Sequence, residues 1–220
     1  MVRAAGVDAT RGSALETLCE RYWRPVYAWV RRSGRGAEDA EDLTQAFFAK
    51  VLEQHSIERA DRERGRFRSY LLAMLQRFLA DDWDRSRAQR RGGGKAVFSL
   101  DVASVEASEA LALPGAESPE RAFDRRWALD VVEQARGLLR EECAAAKKGE
   151  IFEALFVSAA EETQAALAAR LGITENAVKM TARRLRRRLE EHIRAVVAET
   201  VSTREDLEGE IRQLMEALAG

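Results

Sequence analysis

Between Thr163 and Leu185 the chain reads TQAALAARLGITENAVKMTARRL, two runs of strong helix formers parted by one glycine. No other stretch narrows the fold as sharply. Gly172 enters the left-handed region without steric cost, which a tight turn between two helices demands. Thr174 is a good N-cap for a second helix from Glu175. Ala165, Ala166, Leu167 and Leu171 are expected to pack inward against Ile173, Val178 and Leu185. Two crossed helices joined in this way form a helix-turn-helix.

The rest of the chain also reads as helix. Segments alternating with period two are few and proline is sparse, so almost no sheet is expected. Helical spacing of apolar residues predicts helices over 14–32 (Leu15, Leu18, Tyr22, Val26, Trp29, Val30), 37–54 (Ala40, Leu43, Phe47, Val51) and 66–90 (Phe67, Leu71, Met74 or Leu75, Phe78, with Leu79 as a further candidate). Further helices are expected from Glu120 (Phe123, Trp127, Val131, Leu138), over 151–158, and over 203–220 (Leu207, Ile211, Leu214, Met215, Leu218). The glycines of RRGGGK end the third helix, and residues 95–119, acidic and with two prolines, read as a weakly structured linker. The expected class is all-α. Two small helical domains (10–94 and 120–200) flank a flexible acidic linker (95–119), the second being a helix-turn-helix domain, and a C-terminal amphipathic helix (201–220) follows.

Several chemistries are not supported. Cys19 and Cys143 sit in helical patterns and read as inert thiols, and His55 and His192 lie far apart with no metal-ligand spacing around them. No glycine-rich phosphate loop and no nucleophile elbow is present, so neither an enzyme nor a cofactor or metal is expected. No apolar run reaches the roughly 20 residues that span a bilayer, and the N-terminus lacks an apolar signal core, so a cytoplasmic location without membrane insertion is expected.

Charge is distributed unevenly. The chain has 36 basic and 37 acidic residues, a net charge of -1, yet five arginines fall between Arg183 and Arg188. From Lys179 to Arg194 seven basic residues against two acidic leave +5. The second helix of a helix-turn-helix enters the major groove, with residues near its start on base edges and basic side chains on phosphates. Those near the start are Glu175, Asn176, Val178 and Lys179, with Thr181 to Arg183 as further candidates, and the basic residues beyond them can reach phosphates. The structural alternative is a solvated basic face balanced by Glu190 and Glu191. A second basic segment, Arg59 to Lys95, carries eleven basic and five acidic residues (+6), with Phe67, Tyr70, Phe78 and Trp83 interleaved. Basic helices with exposed aromatics suit unpaired bases; for Phe67 and Phe78 a place in the core is the favoured alternative.

Three stretches in this order, DAEDLTQAFF, GRFRSYLLAMLQRFLADDWDRSRAQRR and TQAALAARLGITENAVKMTARRLRRRLEEHI, resemble bacterial RNA polymerase sigma factors of the extracytoplasmic-function type. The resemblance covers roughly 14–197. It implies a sigma region-two-like first domain that binds core RNA polymerase and melts the minus-10 promoter element, and a region-four-like second domain that binds the minus-35 element. Under it Asp39, Asp42 and Gln45 would face the polymerase clamp. Arg66, Tyr70, Arg77, Asp81, Trp83 and Arg85 would lie near the minus-10 strand, and Asn176, Lys179, Arg183, Arg184 and Arg187 at the minus-35 duplex. The chain departs from the family at Ala46, where an acid is usual, at Arg77, where asparagine is common, and at Asp84, where a basic residue is common. Thr44, beside Ala46, is thus a candidate phosphorylation site, since a phosphate adds about -1.5 to -2 charge; burial of Thr44 is the alternative. Core polymerase and promoter DNA are the implied partners, with an anti-sigma factor or a Ser/Thr kinase as candidate regulators. The competing function is a stand-alone helix-turn-helix transcription regulator.

Overall fold

The computed structural model describes the backbone of residues 2–53, 66–89, 117–157 and 163–219, and side chains over 17–53, 66–83, 117–157 and 163–219. The polar stretch 55–65, nearly all of the expected linker and the side chain of Arg85 lie outside the described residues. Eight helices are described: α1 Val2–Arg32, α2 Ala37–Glu53, α3 Phe67–Gln89, α4 Pro119–Ala145, α5 Gly149–Phe156, α6 Gln164–Leu171, α7 Glu175–Ala198 and α8 Arg204–Ala219. Among the described residues there is no strand, and the fold is all-α. The first helix begins a dozen residues before the apolar pattern does, because polar and alanine-rich turns carry no periodicity to read.

The chain divides into two compact units, Met1–Leu129 with Thr200–Gly220, and Asp130–Glu199. The first unit therefore takes in more than the expected 10–94: it also holds the opening turns of α4 and all of α8. Aromatic packing explains the α4 contribution. Tyr22, Val26, Trp29 and Val30 form the buried stripe of α1, and Phe123 lies 6.3 Å from the rings of both Tyr22 and Trp29. Phe47 of α2 meets Phe78 of α3 edge-on at 5.6 Å, and Leu71 and Leu75 complete the α3 face. Helices α2 and α3 thus show the apolar faces that their spacing predicts.

Helix α8 departs from expectation. Of its apolar residues only Leu214 is fully buried, while Met215 is 62% and Leu218 42% exposed. Gly209 and Glu210 are buried instead. The helix is rolled away from its apolar stripe so that Glu210 points into the first unit.

Tyr22 sits wholly within this core, and burial pushes its phenol up to about 12. The folded protein therefore holds the neutral phenol after the unfolded chain, titrating near pH 10, has begun to ionise. Stability is fully present below about pH 10 and falls between pH 10 and 12, by about 3 kcal/mol from this group. Urea unfolding of Tyr22→Phe across that window should show a loss smaller by about that amount; parallel profiles for the two proteins would refute the assignment.

In the second unit, Leu139, Cys143, Ile151, Phe152 and Leu185 form one core cluster, and Ala154, Leu167, Ala168 and Val178 a second. Four expected inward residues differ. Ala165 and Ala166 are exposed, Ile173 is 40% exposed, and Leu138 gives its place to Leu139. Ala168 rather than Ala165 or Ala166 faces α7, since it lies one position from Leu167 on the inner side of a helix only eight residues long. Burial pushes the Cys143 thiol up, in keeping with an inert role. Among the described residues no helix is long and apolar enough to cross a membrane.

Candidate nucleic-acid interface

The junction of α6 and α7 is built by its caps. Thr163 Oγ1 accepts from the Ala166 N–H and Thr174 Oγ1 from the Ala177 N–H, both at 3.2 Å. Gly172 has φ 64, and the Ile173 and Gly172 N–H groups donate to the carbonyls of Ala168 (3.0 Å) and Ala169 (3.3 Å). This is a Schellman ending, which satisfies the last carbonyls of α6 and turns the chain sharply. Three residues, Gly172 to Thr174, then suffice to start α7 in a new direction.

Helix α7 shows two faces. Val178, Ala182 and Leu185, spaced i, i+4, i+7, are buried, Val178 against α5 and α6 residues and Leu185 against α4 and α5 residues, so Val178 and Ala182 are withdrawn from the base-edge residues. Opposite them Asn176, Lys179, Met180, Arg183 and Arg187 are all exposed, and Thr174, Glu175 and Arg184 flank them, exposed as well. The expected DNA-facing residues thus share one solvent-open surface.

The arginine run divides in two. Arg188 donates through Nε to Glu142 Oε2 and through Nη1 to Glu191 Oε2, both at 2.8 Å, and Arg187 pairs with Glu191 at 3.2 Å. His192 Nε2 lies 2.9 Å from the same Glu142 oxygen. The Arg188 hydrogen bond holds the Glu142 carboxyl below its usual range, and the Glu191 hydrogen bond raises Arg188 above its own. By contrast Lys179, Arg183, Arg184 and Arg186 have no carboxylate partner among the described residues. The solvated-face alternative thus applies to Arg188 and in part to Arg187; the first half of α7 carries uncompensated positive charge.

In the first unit, Asp39 and Asp42 are exposed on α2 with Ala46 on the same side, and Gln45 is half-buried beside them. Glu38 and Asp39 occupy the first turn, where negative charge suits the helix dipole. Thr44 is 0% exposed, and its hydroxyl donates to the Ala40 carbonyl at 2.7 Å. The Thr44 phosphorylation expectation is corrected on this ground: the hydroxyl is closed to a kinase in this fold, and burial, the alternative, holds.

On α3, Tyr70, Arg77 and Asp81 run along the side away from Leu71, Leu75 and Phe78. Arg77 is exposed, Tyr70 half-buried, and Asp81 lies 3.6 Å from Lys50. Trp83 is 55% exposed, with the Arg35 guanidinium 5.5 Å from its ring centroid and Arg35 in turn 3.6 Å from Asp82. A wide aromatic ring on a basic helix offers a base a stacking surface. Phe78 is buried in the core, as its alternative reading had it, and Phe67 is half-buried against Tyr22, 5.1 Å away.

Arg66, just ahead of α3, has partners on α8. Its guanidinium lies against α8, with Nε 3.6 Å from Asp206 and Nη1 3.5 Å from Glu210. Next to it is a group that sequence reasoning missed. Arg68, 6% exposed, donates to Glu210 through Nε (2.8 Å) and Nη2 (3.2 Å), donates to Asp124 through Nη1, and stacks 5.0 Å over Trp127. Gln213 donates to the other Asp124 oxygen at 2.9 Å. Burial opposes the Arg68 charge, but the Glu210 hydrogen bond and the Asp124 carboxylate outweigh it and its pKa rises. Burial pushes the Asp124 carboxyl up, against the pull of Arg68. The signal was present in register: Arg68 lies three and seven residues before Leu71 and Leu75, and Glu210 lies between Leu207 and Leu214, each at a core position.

Residues 18–90 match the family model for Sigma-70 region 2. That span takes in α1 from residue 18, α2 and α3, and so contains the acidic α2 surface and the basic, aromatic α3; helices α4 to α8 lie beyond it. No curated protein and no solved structure matches the chain.

Proposed function

We propose that this chain is a sigma subunit of RNA polymerase, of the extracytoplasmic-function type, which binds core polymerase and directs promoter-specific initiation. The observation that carries this reading is the Sigma-70 region 2 match over 18–90, with Asp39 and Asp42 open to solvent on α2 and Arg77 and Trp83 open on α3. In this reading the α2 carboxylates meet the polymerase clamp, and α3 receives the minus-10 strand by charge and stacking. The α6–α7 pair is the minus-35 reader: its exposed, unpaired basic residues sit where a second helix enters the major groove. The domains then act as a region-two-like body and a region-four-like body, and the chain itself performs no catalysis.

Run-off transcription with core polymerase and a genomic DNA library tests the proposal, in parallel with core binding by the purified chain. New specific start sites are expected. Asp39→Lys with Asp42→Lys should weaken core binding at least about tenfold, because like charge across an interface costs several kcal/mol. DNA binding by the chain without any affinity for core would favour the stand-alone helix-turn-helix regulator instead.

A further inference from the structure

Helix α8 lies outside the Sigma-70 region 2 match, yet it belongs to the same compact unit. Its anchorage is extensive. Glu210, 1% exposed, is locked to buried Arg68, Gln213 reaches Asp124, and the Phe67 N–H donates to the Thr200 carbonyl at 3.2 Å, tying the approach to α8 to the start of α3. Thr203 caps the helix, accepting from the Asp206 N–H at 3.1 Å and donating to the Asp206 carboxylate at 2.7 Å. The helix is acidic, with five carboxylates against two arginines between Arg204 and Ala219 (-3).

The rim of this anchored helix faces Arg66. Asp206 and Glu210 both approach its guanidinium, and Gly209 makes room for it: a Cβ at position 209 would lie 2.8 Å from Arg66 Cζ. A glycine inside a helix costs about 1 kcal/mol relative to alanine; here the missing side chain is the seat of an arginine. Arg66 is nevertheless 35% exposed, so it can leave that seat for another anion.

We propose that α8 is an internal competitor for nucleic acid: its carboxylates, Asp206 at the rim and Glu210 buried beneath it, hold Arg66 in place of a backbone phosphate of single-stranded DNA. The inference rests on the reading of α3 as a DNA-binding helix and adds to it a restraint within the same unit. The buried Arg68–Glu210 pair keeps α8 in place while Arg66 is exchanged between carboxylate and phosphate. Since Arg66 is 35% exposed and its ion pairs with Asp206 and Glu210 are long, 3.6 and 3.5 Å, DNA can displace them once polymerase holds the strand near.

The test uses the full chain and a fluorescein-labelled, A/T-rich 15-nucleotide single strand, with affinity measured by anisotropy from 50 to 200 mM salt. Asp206→Asn removes one carboxylate but keeps a capping acceptor. Gly209→Ala pushes the guanidinium off its seat and suits a helix. Neither touches the Arg68–Glu210 pair. Each should raise affinity about five- to tenfold at 50 mM salt and steepen the salt slope by about 0.7, the value of one added phosphate interaction on a single strand. Arg66→Ala in either background should abolish the gain. Arg77→Ala, on the open side of α3, should weaken binding by itself. Unchanged affinity and slope in Asp206→Asn and Gly209→Ala, with Arg77→Ala still weakening binding, would overturn the competitor role alone. Unchanged binding in Arg77→Ala would overturn the DNA-binding reading of α3 and the competitor role with it.

Discussion

Glu210→Ala should lower the unfolding free energy of the first unit by about 3–5 kcal/mol, since it leaves a buried guanidinium short of its main partner. Arg68 is 6% exposed and has nowhere to turn for water. Asp124 and the Trp127 ring remain and offset part of the cost, which places the expectation at the lower end, about 3 kcal/mol. The penalty belongs to the unpaired charge and not to the loss of α8 area, so Arg68→Met combined with Glu210→Leu should recover most of it. All four tryptophans, Trp23, Trp29, Trp83 and Trp127, lie in the first unit, so fluorescence-detected urea unfolding reports on that unit directly. A loss under about 1 kcal/mol for Glu210→Ala would mean that Arg68 is solvated in solution and α8 is loosely held.

Lys179→Ala with Arg183→Ala should reduce affinity for duplex DNA, selected against the unaltered chain, by about 100-fold or more, each side chain that meets a base or phosphate contributing about 1–3 kcal/mol. The slope of log affinity against log salt should shrink by up to about 1.8, some 0.9 for each phosphate that is no longer neutralised. Both residues are exposed and unpaired among the described residues, so folding should be untouched and circular dichroism unchanged. Arg188→Ala is the internal contrast. Its guanidinium is engaged by Glu142 and Glu191, and its removal should cost far less DNA affinity. If Arg188→Ala were as damaging as the double substitution, α7 would bind as a diffuse basic rod rather than through its first half.

The α6–α7 turn was legible almost residue by residue. Gly172 takes the positive φ and Thr174 the N-cap expected of them, because both properties are local and depend on a residue's own sterics and hydroxyl. The open face of α7 was legible for a similar reason: helical spacing alone places Asn176, Lys179, Arg183 and Arg187 away from Val178 and Leu185. Partner choice among charges was not. Glu191, three residues after Arg188, was readable as a local partner that Arg183 lacks, but the second carboxylate on Arg188, Glu142 of α4, stands forty-six residues before it. Thr44 shows the same limit. Its spacing with Ala40, Phe47 and Val51 put it on the apolar side of α2, yet its hydroxyl made it readable as a surface group until its bond to Ala40 was seen.

The sequence by itself determined that this chain is helical, where most helices begin and end, and which face of α7 stays wet, since propensity, capping and periodicity act over a few residues. The tertiary structure alone decided that α8 rolls its glutamate inward, that Arg68 is buried between Glu210 and Asp124, and that Arg66 lies against carboxylates of α8. A buried charge is tolerated only where an opposite charge meets it. The partners of Arg68 stand 56 and 142 residues away, a pairing that no local pattern encodes.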